Sequence, residues 1–426
     1  MHARRSPSAP ATARSGHRPT RSVGAPRRGA AVLLVGVLAL VAAACSSTSS
    51  SSTTTSAPST TTTAATTASG LPPIRHVFII VLENQGYANT FGNPANDPYL
   101  AGTLPKQGAL LTQYYGIGHH SNDNYIALLS GQAPNPDNQS DCPAFVNFPL
   151  TASIGAGGQI SDSGCVFPLT VTTVANQLTR AGLTWKGYMQ DMGNIPSRES
   201  AVCGHPAVGA LDNTELAVSG DGYASRHDPF VYFHSIIDNT SLCDSNVVPL
   251  GTTSGALPAG APAGTTGLAT DLKSVATTPN YSFITPNLCN DGHDAPCINQ
   301  AGSPSPYVNI DAFLQTWVPL ITGSPAFKEN GLLEITFDEA DTGDASTCCN
   351  SIPGPAAPDP GITGPGGGRI GSVLISPYIK PGTVSDVPYN HYSTLATVED
   401  IFGLAKLGQA QSVSATFGKD VFTAAG

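Results

Sequence analysis

The segment GHHSNDNYIALLSG, residues 118–131, places two histidines directly before a serine. The whole chain of 426 residues has only 10 histidines, so a pair of them beside one hydroxyl is a specific signal. An imidazole next to a serine can bind an anion or protonate a leaving group. A serine that precedes an apolar helical run is also a common helix cap, so Ser121 alone does not indicate catalysis.

Acidic and amide side chains follow two apolar stretches that have the pattern of strands. Glu83 and Asn84 end IRHVFIIVLEN, and Asp338 and Glu339 come near the end of NGLLEITFDEAD. Buried parallel strands have such continuous apolar runs, and their carboxyl ends meet at one edge of the sheet. Converging carboxylates would repel one another unless a hard divalent cation lay between them. A serine hydroxyl that touches a cation can lose its proton near neutral pH and attack phosphorus.

Strand and helix patterns alternate along the chain. The strand patterns cover residues 74–84, 183–189, 281–287, 330–341 and 369–379. The helical patterns lie near residues 171–181, 309–321 and 391–405. This alternation predicts an α/β fold with a mostly parallel sheet flanked by helices.

Seven blocks of the sequence resemble, in order, those of the bacterial acid phosphatase and phospholipase C phosphoesterase family. They are HVFIIVLENQGYANTFG, HSNDNYIALLSG, RHDPFVYF, PNLCNDGHD, ITFDEADTG, SVLISPYI and NHYSTLATVEDIFGL. One block would carry little weight, but seven in sequence are a strong signal. The resemblance implies an alkaline-phosphatase-like fold.

The resemblance also implies a role for each matching residue. The nucleophile position falls on Ser121, and the other catalytic positions fall on His119, His293 and His391. The substrate-binding positions fall on Asn124, Asp291 and His227. The metal-ligand positions fall on Glu83, Asn84, Ser121, Asp338 and Glu339. The family often has proline where this chain has His120 and Asp123, and we take His119 as the recurring histidine.

The acid phosphatase branch of this family implies one divalent cation as the cofactor. Oxygen ligands favour Ca²⁺, Mg²⁺ or Mn²⁺, and the fold also accepts Zn²⁺ or Fe. A phosphomonoester carries about two negative charges at neutral pH. The cation and the imidazoles would offset the repulsion between that charge and an acidic protein.

We therefore expect an exported, metal-dependent phosphomonoesterase of the acid phosphatase type that acts on phosphoinositides or other surface phosphates. A phosphoseryl intermediate would form and then be hydrolysed. The short separation of Glu83 and Ser121 favours the phosphatase-like members of the family. Two alternatives remain open: a phospholipase C that cleaves phosphodiesters, and a noncatalytic cell-surface binding lipoprotein.

The amino-terminal part of the chain has the pattern of an export signal. Residues 1–44 contain seven arginines, no acidic residue and an apolar run that ends at Ala-Ala-Ala before Cys45. This pattern predicts a signal peptide of the lipoprotein type with Cys45 lipidated, and an ordinary cleaved signal is the alternative. Residues 45–70 form a Ser/Thr-rich tether, and residues 71–426 form the phosphoesterase domain.

The charge of the mature chain limits its partners. Without the seven signal arginines, 12 basic residues stand against 29 acidic ones, which gives a formal charge of −17. Such a surface argues against nucleic acid as a partner. The expected partner is a phosphorylated small molecule or a phospholipid head group. Membrane attachment would run through lipidated Cys45 and not through a spanning helix.

Eight cysteines follow Cys45, and an even number in an exported chain indicates disulfides. Sequence neighbours suggest the pairs 142–165, 203–243 and 289–297, although sequence alone does not fix the connectivity. Cys348 and Cys349 are adjacent, and we expect each of them to bond elsewhere.

Overall fold

A computed structural model of the chain describes residues 70–298 and 305–423. The predicted signal segment, Cys45 and residues 46–69 of the predicted tether lie outside the described residues. All described residues belong to one compact unit. Within them, no helix has both the length and the apolar character needed to cross a membrane.

Ten strands build the sheet structure of the described residues. They are β1 (His76–Leu82), β2 (Ala109–Leu111), β3 (Tyr114–Tyr115), β4 (Trp185–Met189), β5 (Val247–Pro249), β6 (Tyr281–Thr285), β7 (Gly331–Phe337), β8 (Ser372–Ile375), β9 (Thr383–Ser385) and β10 (Tyr389–Asn390). Eight of them form one sheet in the order β5-β4-β6-β1-β7-β8-β2-β9, and β3 pairs with β10. Strand β1 runs parallel to β6 and β7, whereas β8 is antiparallel to β7 and β2. The predicted α/β fold with a mostly parallel sheet is confirmed.

Eight α-helices accompany the sheet in the part of the chain that the structure describes. They are α1 (Ser121–Ser130), α2 (Val174–Arg180), α3 (His234–Ile237), α4 (Thr240–Asn246), α5 (Leu268–Asp271), α6 (Pro306–Gly323), α7 (Pro325–Asn330) and α8 (His391–Phe402). Helix α1 packs against α2 and α8, and both α6 and α7 pack against β7. The predicted helices correspond to α2, α6 and α8. Helix α8 ends at Gly403, whose φ of 65° is a left-handed conformation that glycine adopts without strain.

The four disulfides of the described residues join Cys142 to Cys165, Cys203 to Cys243, Cys289 to Cys297 and Cys348 to Cys349. The first three are the pairs that the sequence suggested. The expectation that Cys348 and Cys349 each bond elsewhere is wrong. The other six cysteines among the described residues pair among themselves, so within that part of the chain each of these two has only its neighbour. Disulfides of this number fit the predicted export of the chain.

A buried glutamate interrupts the apolar strand β7. Glu334 is only 2% exposed, and its Oε1 accepts hydrogen bonds from the hydroxyls of Thr394 (2.8 Å) and Ser372 (3.2 Å). Burial raises the pKa of Glu334 to about 7, because these neutral donors offset only part of the cost of a buried charge.

This pKa predicts how stability depends on pH. Between pH 4.5 and 7 the unfolded chain ionises Glu334 while the folded chain keeps it protonated, so stability falls as pH rises. The contribution amounts to about 3 kcal/mol. Glu334→Gln mimics the protonated acid, and we expect it to flatten this part of the profile. Urea unfolding of both proteins at pH 4.5, 6 and 7.5 measures the difference, and identical slopes would contradict the assignment.

Candidate active site

The carboxyl ends of β1 and β7 place four polar residues side by side. The register pairs Leu82 with Phe337, so the residues that follow each strand are neighbours. The backbone N–H of Asn84 donates to Asp338 Oδ1 (2.9 Å), and its side-chain Nδ2 donates to Glu339 Oε1 (3.0 Å). The structure thus brings together the two pairs that the sequence placed at strand ends.

Ser121 faces this group from the first position of α1. Its Oγ donates a hydrogen bond to Glu83 Oε2 at 2.8 Å, and the serine is only 2% exposed. One helical turn later, the Tyr125 hydroxyl donates to Glu83 Oε1 at 2.5 Å. Sequence reasoning missed Tyr125, although its spacing of four residues from Ser121 places both side chains on one helix face.

The resemblance implied that Asn124 binds substrate, but its side-chain amide has no free hydrogen-bond donor in this structure. Its Oδ1 accepts from the backbone N–H groups of Ile117 and Gly118, and its Nδ2 donates to the carbonyls of Gly118 and His120. Both amide hydrogens are therefore engaged. In this structure Asn124 holds the loop that positions Ser121.

A second group of side chains adjoins Glu83. Glu83, His227 and Asp291 offer ligand atoms that all lie within 4.8 Å of one another, and all three residues are buried. His227 Nε2 lies 3.4 Å from Glu83 Oε1, and its Nδ1 lies 3.4 Å from Asp291 Oδ2. The ring of His227 stacks on Tyr125 with centroids 5.2 Å apart. Of the predicted metal ligands, this compact group contains only Glu83.

Local structure explains how these residues reach one place. The backbone N–H of Glu83 donates to the carbonyl of Asp291 (2.9 Å), which ties the loop after β6 to the end of β1. Thr285 at the end of β6 donates its hydroxyl to the carbonyl of His227 (3.1 Å). Three segments that are distant in sequence therefore meet at the carboxyl edge of the sheet.

Burial dominates the electrostatics of the site. It raises the pKa of Glu83 well above the usual range, and the negative charges of Asp338 and Asp291 add to this rise. Burial also raises the pKa of Asp291, and it raises that of Glu339, to which the charge of Asp338 contributes. For His227 burial lowers the pKa well below 6.5, and the charge of Arg226 contributes.

His119 is buried and both its ring nitrogens are engaged. Its Nδ1 contacts Glu339 Oε2, and its Nε2 lies 3.2 Å from the carbonyl of Asp344. The pKa of His119 is lowered, and burial of the ring is the largest cause. The structure thus places this predicted catalytic histidine against Glu339, where it supports an acidic side chain.

His391 is also placed differently from its predicted position beside the phosphoryl group. It is fully buried, its Nε2 donates to the backbone carbonyl of Asp338 (2.6 Å), and its Nδ1 lies 3.2 Å from the Tyr114 hydroxyl. Burial lowers its pKa to about 4, so the ring is neutral. Because both nitrogens are used, His391 positions the strand end that carries Asp338.

His293 lies at the outer edge of the site beside an arginine. Its Nδ1 lies 2.8 Å from Asp294 Oδ1, and its Nε2 lies 3.3 Å from Arg226 Nη2. A guanidinium only donates hydrogen bonds, so His293 Nε2 faces a donor. The catalytic role that the resemblance implied for His293 stays a prediction. Arg226, which sequence reasoning missed, directly precedes His227 in the block RHDPF.

Comparisons with known proteins give several phosphatases as relatives. The phosphatidylinositol-3-phosphatase of Mycobacterium tuberculosis is 28% identical over 343 residues, which cover 80% of this chain and 82% of the relative. The phosphate-repressible acid phosphatase of Penicillium chrysogenum is 27% identical over 75% of this chain and 58% of its own length. A probable acid phosphatase of Kluyveromyces lactis is 26% identical over 79% and 60%, respectively. The chain therefore spans about three fifths of these two fungal relatives.

Together with the family match, these relatives define the class: the protein is a phosphatase, a hydrolase that acts on phosphoric ester bonds. The sequence model of the phosphoesterase family matches residues 95–405, well over half of the chain. The chain belongs to the phosphoesterase family, as the seven sequence blocks predicted. Glu83 and Asn84 precede the matched region, and the other candidate site residues lie within it.

Solved structures show a more distant likeness. A protein of the alkaline phosphatase superfamily from Vibrio parahaemolyticus has a TM-score of 0.43 and 14% identity, over 78% of this chain and 67% of its own. The PsFucS1 sulfatase from Pseudoalteromonas sp. has a TM-score of 0.44 and 12% identity, over 83% and 72%. We draw nothing about the site from a likeness of this extent.

Proposed function

We propose that the protein is an exported, metal-dependent phosphomonoesterase in which Ser121 is the nucleophile. The contact that carries this proposal is the 2.8 Å hydrogen bond from Ser121 Oγ to Glu83 Oε2, in a member of the phosphoesterase family. Ser121 Oγ forms a bond to phosphorus while the bond from phosphorus to the ester oxygen breaks. Glu83 accepts the hydroxyl proton of Ser121, and the ester oxygen takes a proton from water and leaves as the alcohol. Water then hydrolyses the phosphoseryl group and releases phosphate.

The residues present fit a bound divalent cation. His227 Nδ1 and Nε2, Asp291 Oδ2 and Asp338 Oδ2 are buried and have no hydrogen-bond partner among the described residues. Glu83, His227 and Asp291 would hold the cation, with Asp338 and Ser121 adjacent. When bound, the cation would lower the pKa of a coordinated hydroxyl and offset phosphate charge. The imidazole ligand favours Zn²⁺ or Fe over Ca²⁺, Mg²⁺ and Mn²⁺.

The chain also supplies fixed positive charge for the phosphoryl group. Arg226 is 2% exposed, its Nη1 donates to the carbonyl of Glu215 (2.8 Å), and its Nη2 contacts His293. A guanidinium has five N–H donors, so further donors remain for phosphate oxygens. The carboxylates of the site would otherwise repel a dianionic substrate.

The substrate class follows from the relatives. Four of the relatives are named as acid phosphatases, and one is named as a phosphatidylinositol-3-phosphatase. These names suggest that the substrate is a phosphomonoester, with a phosphoinositide as one natural substrate. Disulfides are consistent with export. Anchoring at a lipidated Cys45 remains a prediction from the sequence.

A substrate panel tests this proposal. We expect the purified protein to release phosphate from p-nitrophenyl phosphate and phosphatidylinositol 3-phosphate, and to be at least about 100-fold less active on bis-p-nitrophenyl phosphate, because a diester offers one charge less to the site. Dialysis against a chelator should abolish turnover, and one divalent metal should restore it. Turnover of the diester alone would support the phospholipase C alternative. Turnover of no ester would support the binding-lipoprotein alternative.

A further inference from the structure

A connected arc of polar side chains lies beside Ser121 and outside the acidic group. The mouth arc consists of His120, Asp141, Arg226 and His293. Asp141 Oδ2 lies 3.4 Å from His120 Nδ1 and 3.8 Å from Arg226 Nε, and Arg226 Nη2 lies 3.3 Å from His293 Nε2. His120 immediately precedes Ser121 in sequence, so the arc begins at the nucleophile.

The exposure of the arc shows which way it faces. The side chains of His120 and His293, at the two ends, are 51% and 28% exposed, whereas that of Arg226 is 3% exposed. In an in-line displacement the leaving oxygen lies opposite the attacking oxygen. Because Ser121 is buried, an attacked phosphorus would hold its leaving group on the solvent side. The mouth arc therefore borders the path of the leaving group.

The middle of the arc is held rigidly. Asp141 Oδ1 accepts a hydrogen bond from the backbone N–H of Asn122 (2.9 Å), which fixes the carboxylate over the start of α1. The disulfide of Cys142 anchors the next residue, and the carbonyl of Glu215 holds Arg226. Preorganised groups of this kind bind a ligand at a lower entropic cost.

The chemistry of the arc suits hydroxyl groups. His120 Nε2 has no partner among the described residues, while its Nδ1 faces the Asp141 carboxylate, so the arc combines donors with an acceptor. A hydroxyl can donate one hydrogen bond and accept another, so it can use both the donors and the acceptor of the arc. A second anionic group would be repelled by Asp141. We propose that the mouth arc is a leaving-group subsite for polyol phosphomonoesters, in which His120 contacts a hydroxyl of the leaving alcohol. This inference rests on the proposed phosphomonoesterase function.

The test compares glycerol 1-phosphate with propyl phosphate, whose three-carbon leaving groups differ only in hydroxyls. We expect wild-type kcat/KM to favour glycerol 1-phosphate by about tenfold, the worth of one good hydrogen bond. His120→Asn should reduce this ratio to about twofold or less while propyl phosphate turnover stays within about twofold of wild type.

His120→Pro, which also removes the imidazole, should give the same loss of preference. His234→Asn is the matched control, because His234 Nδ1 pairs with Asp238 Oδ1 (2.9 Å) outside the site. That control should retain the wild-type ratio. Asp141→Asn keeps an acceptor for the backbone N–H of Asn122 but weakens the contact with His120. It should give a kcat/KM ratio between those of the wild type and His120→Asn.

Several outcomes would overturn the subsite. The subsite is rejected if the wild-type kcat/KM values for glycerol 1-phosphate and propyl phosphate are nearly equal. It is also rejected if His120→Asn leaves the ratio of these two values unchanged. An equal loss with both substrates would mean that His120 serves the ester oxygen and not a hydroxyl. A preference for propane-1,3-diyl bisphosphate that His120→Asn removes would mean that the arc takes an anion. If the wild type hydrolysed neither monoester, the proposed function would fail, whereas hydrolysis with an unaffected ratio rejects the subsite alone.

Discussion

Ser121→Ala is expected to reduce kcat for p-nitrophenyl phosphate by at least about 10³-fold, the scale seen when a catalytic nucleophile is removed. The reason is that a methyl group cannot form the bond to phosphorus. The change removes one oxygen from the first position of α1 and leaves the apolar contacts of the helix in place. We therefore expect the thermal unfolding midpoint to stay close to that of the wild type. Steady-state kinetics and a melting curve on the same sample measure both effects.

Ser130→Ala is the matched control for this substitution. Ser130 is a fully buried serine at the other end of α1, and its Oγ donates to the carbonyl of Ile126 (2.8 Å). It should retain wild-type kcat even if it loses some stability. Equal activity of Ser121→Ala and the wild type would show that another group attacks phosphorus.

Glu83→Gln is the substitution with the second largest expected effect. Glu83 is shared by the Ser121 contact and by the compact group with His227 and Asp291, so the amide disrupts both. We expect bound divalent metal to fall from about one per chain to near zero and kcat to fall by about 10³-fold, because an amide is a weaker ligand and its NH₂ opposes the donor hydroxyls. Elemental analysis after gel filtration and kinetics at saturating metal measure the two effects.

Glu399→Gln controls for the loss of a buried carboxylate. Glu399 is fully buried in α8, where its Oε1 accepts from the backbone N–H of Leu407 (2.9 Å). It should keep its metal and its activity. If Glu83→Gln retained stoichiometric metal, Glu83 would not be a ligand, and the metal would have to be held by other residues.

The sheet and its carboxyl edge were predictable from the sequence because the signals are local. Buried parallel strands require continuous apolar runs, and β1 and β7 show them together with the polar residues that follow. The predicted strand at 369–379 shortened to Ser372–Ile375, since only those residues pair with the antiparallel neighbours. Sequence patterns do not fix where pairing stops.

The directions of side chains were not predictable. His391 and Asn124 fall on the expected blocks, but His391 Nε2 and the Asn124 amide bond to backbone groups. A motif gives the position of a residue along the chain, whereas its partners depend on tertiary packing. Asp141 was missed for the same reason. Its contact with His120 joins the start of α1 to the loop that follows the helix, 21 positions later, and has no periodicity.

Arg226 and His227 illustrate an intermediate case. The block RHDPF marked the segment, and burial next to Glu83 and Asp291 gives His227 its place in the compact group. No spacing rule links residue 227 to residue 83, because the two meet only through the order of strands in the sheet. The strand ends therefore predicted the position of Glu83 but not the imidazole that lies beside it.

The central claim is that phosphate passes through a covalent bond to a hydroxyl at the start of one helix. The direct measurement is peptide mass spectrometry after rapid acid quenching of the enzyme during turnover of a phosphomonoester. The account predicts a peptide that contains residue 121 and carries one HPO₃ group on that serine, absent in the alanine variant. Continued product formation with no phosphorylated peptide at any quench time would contradict it.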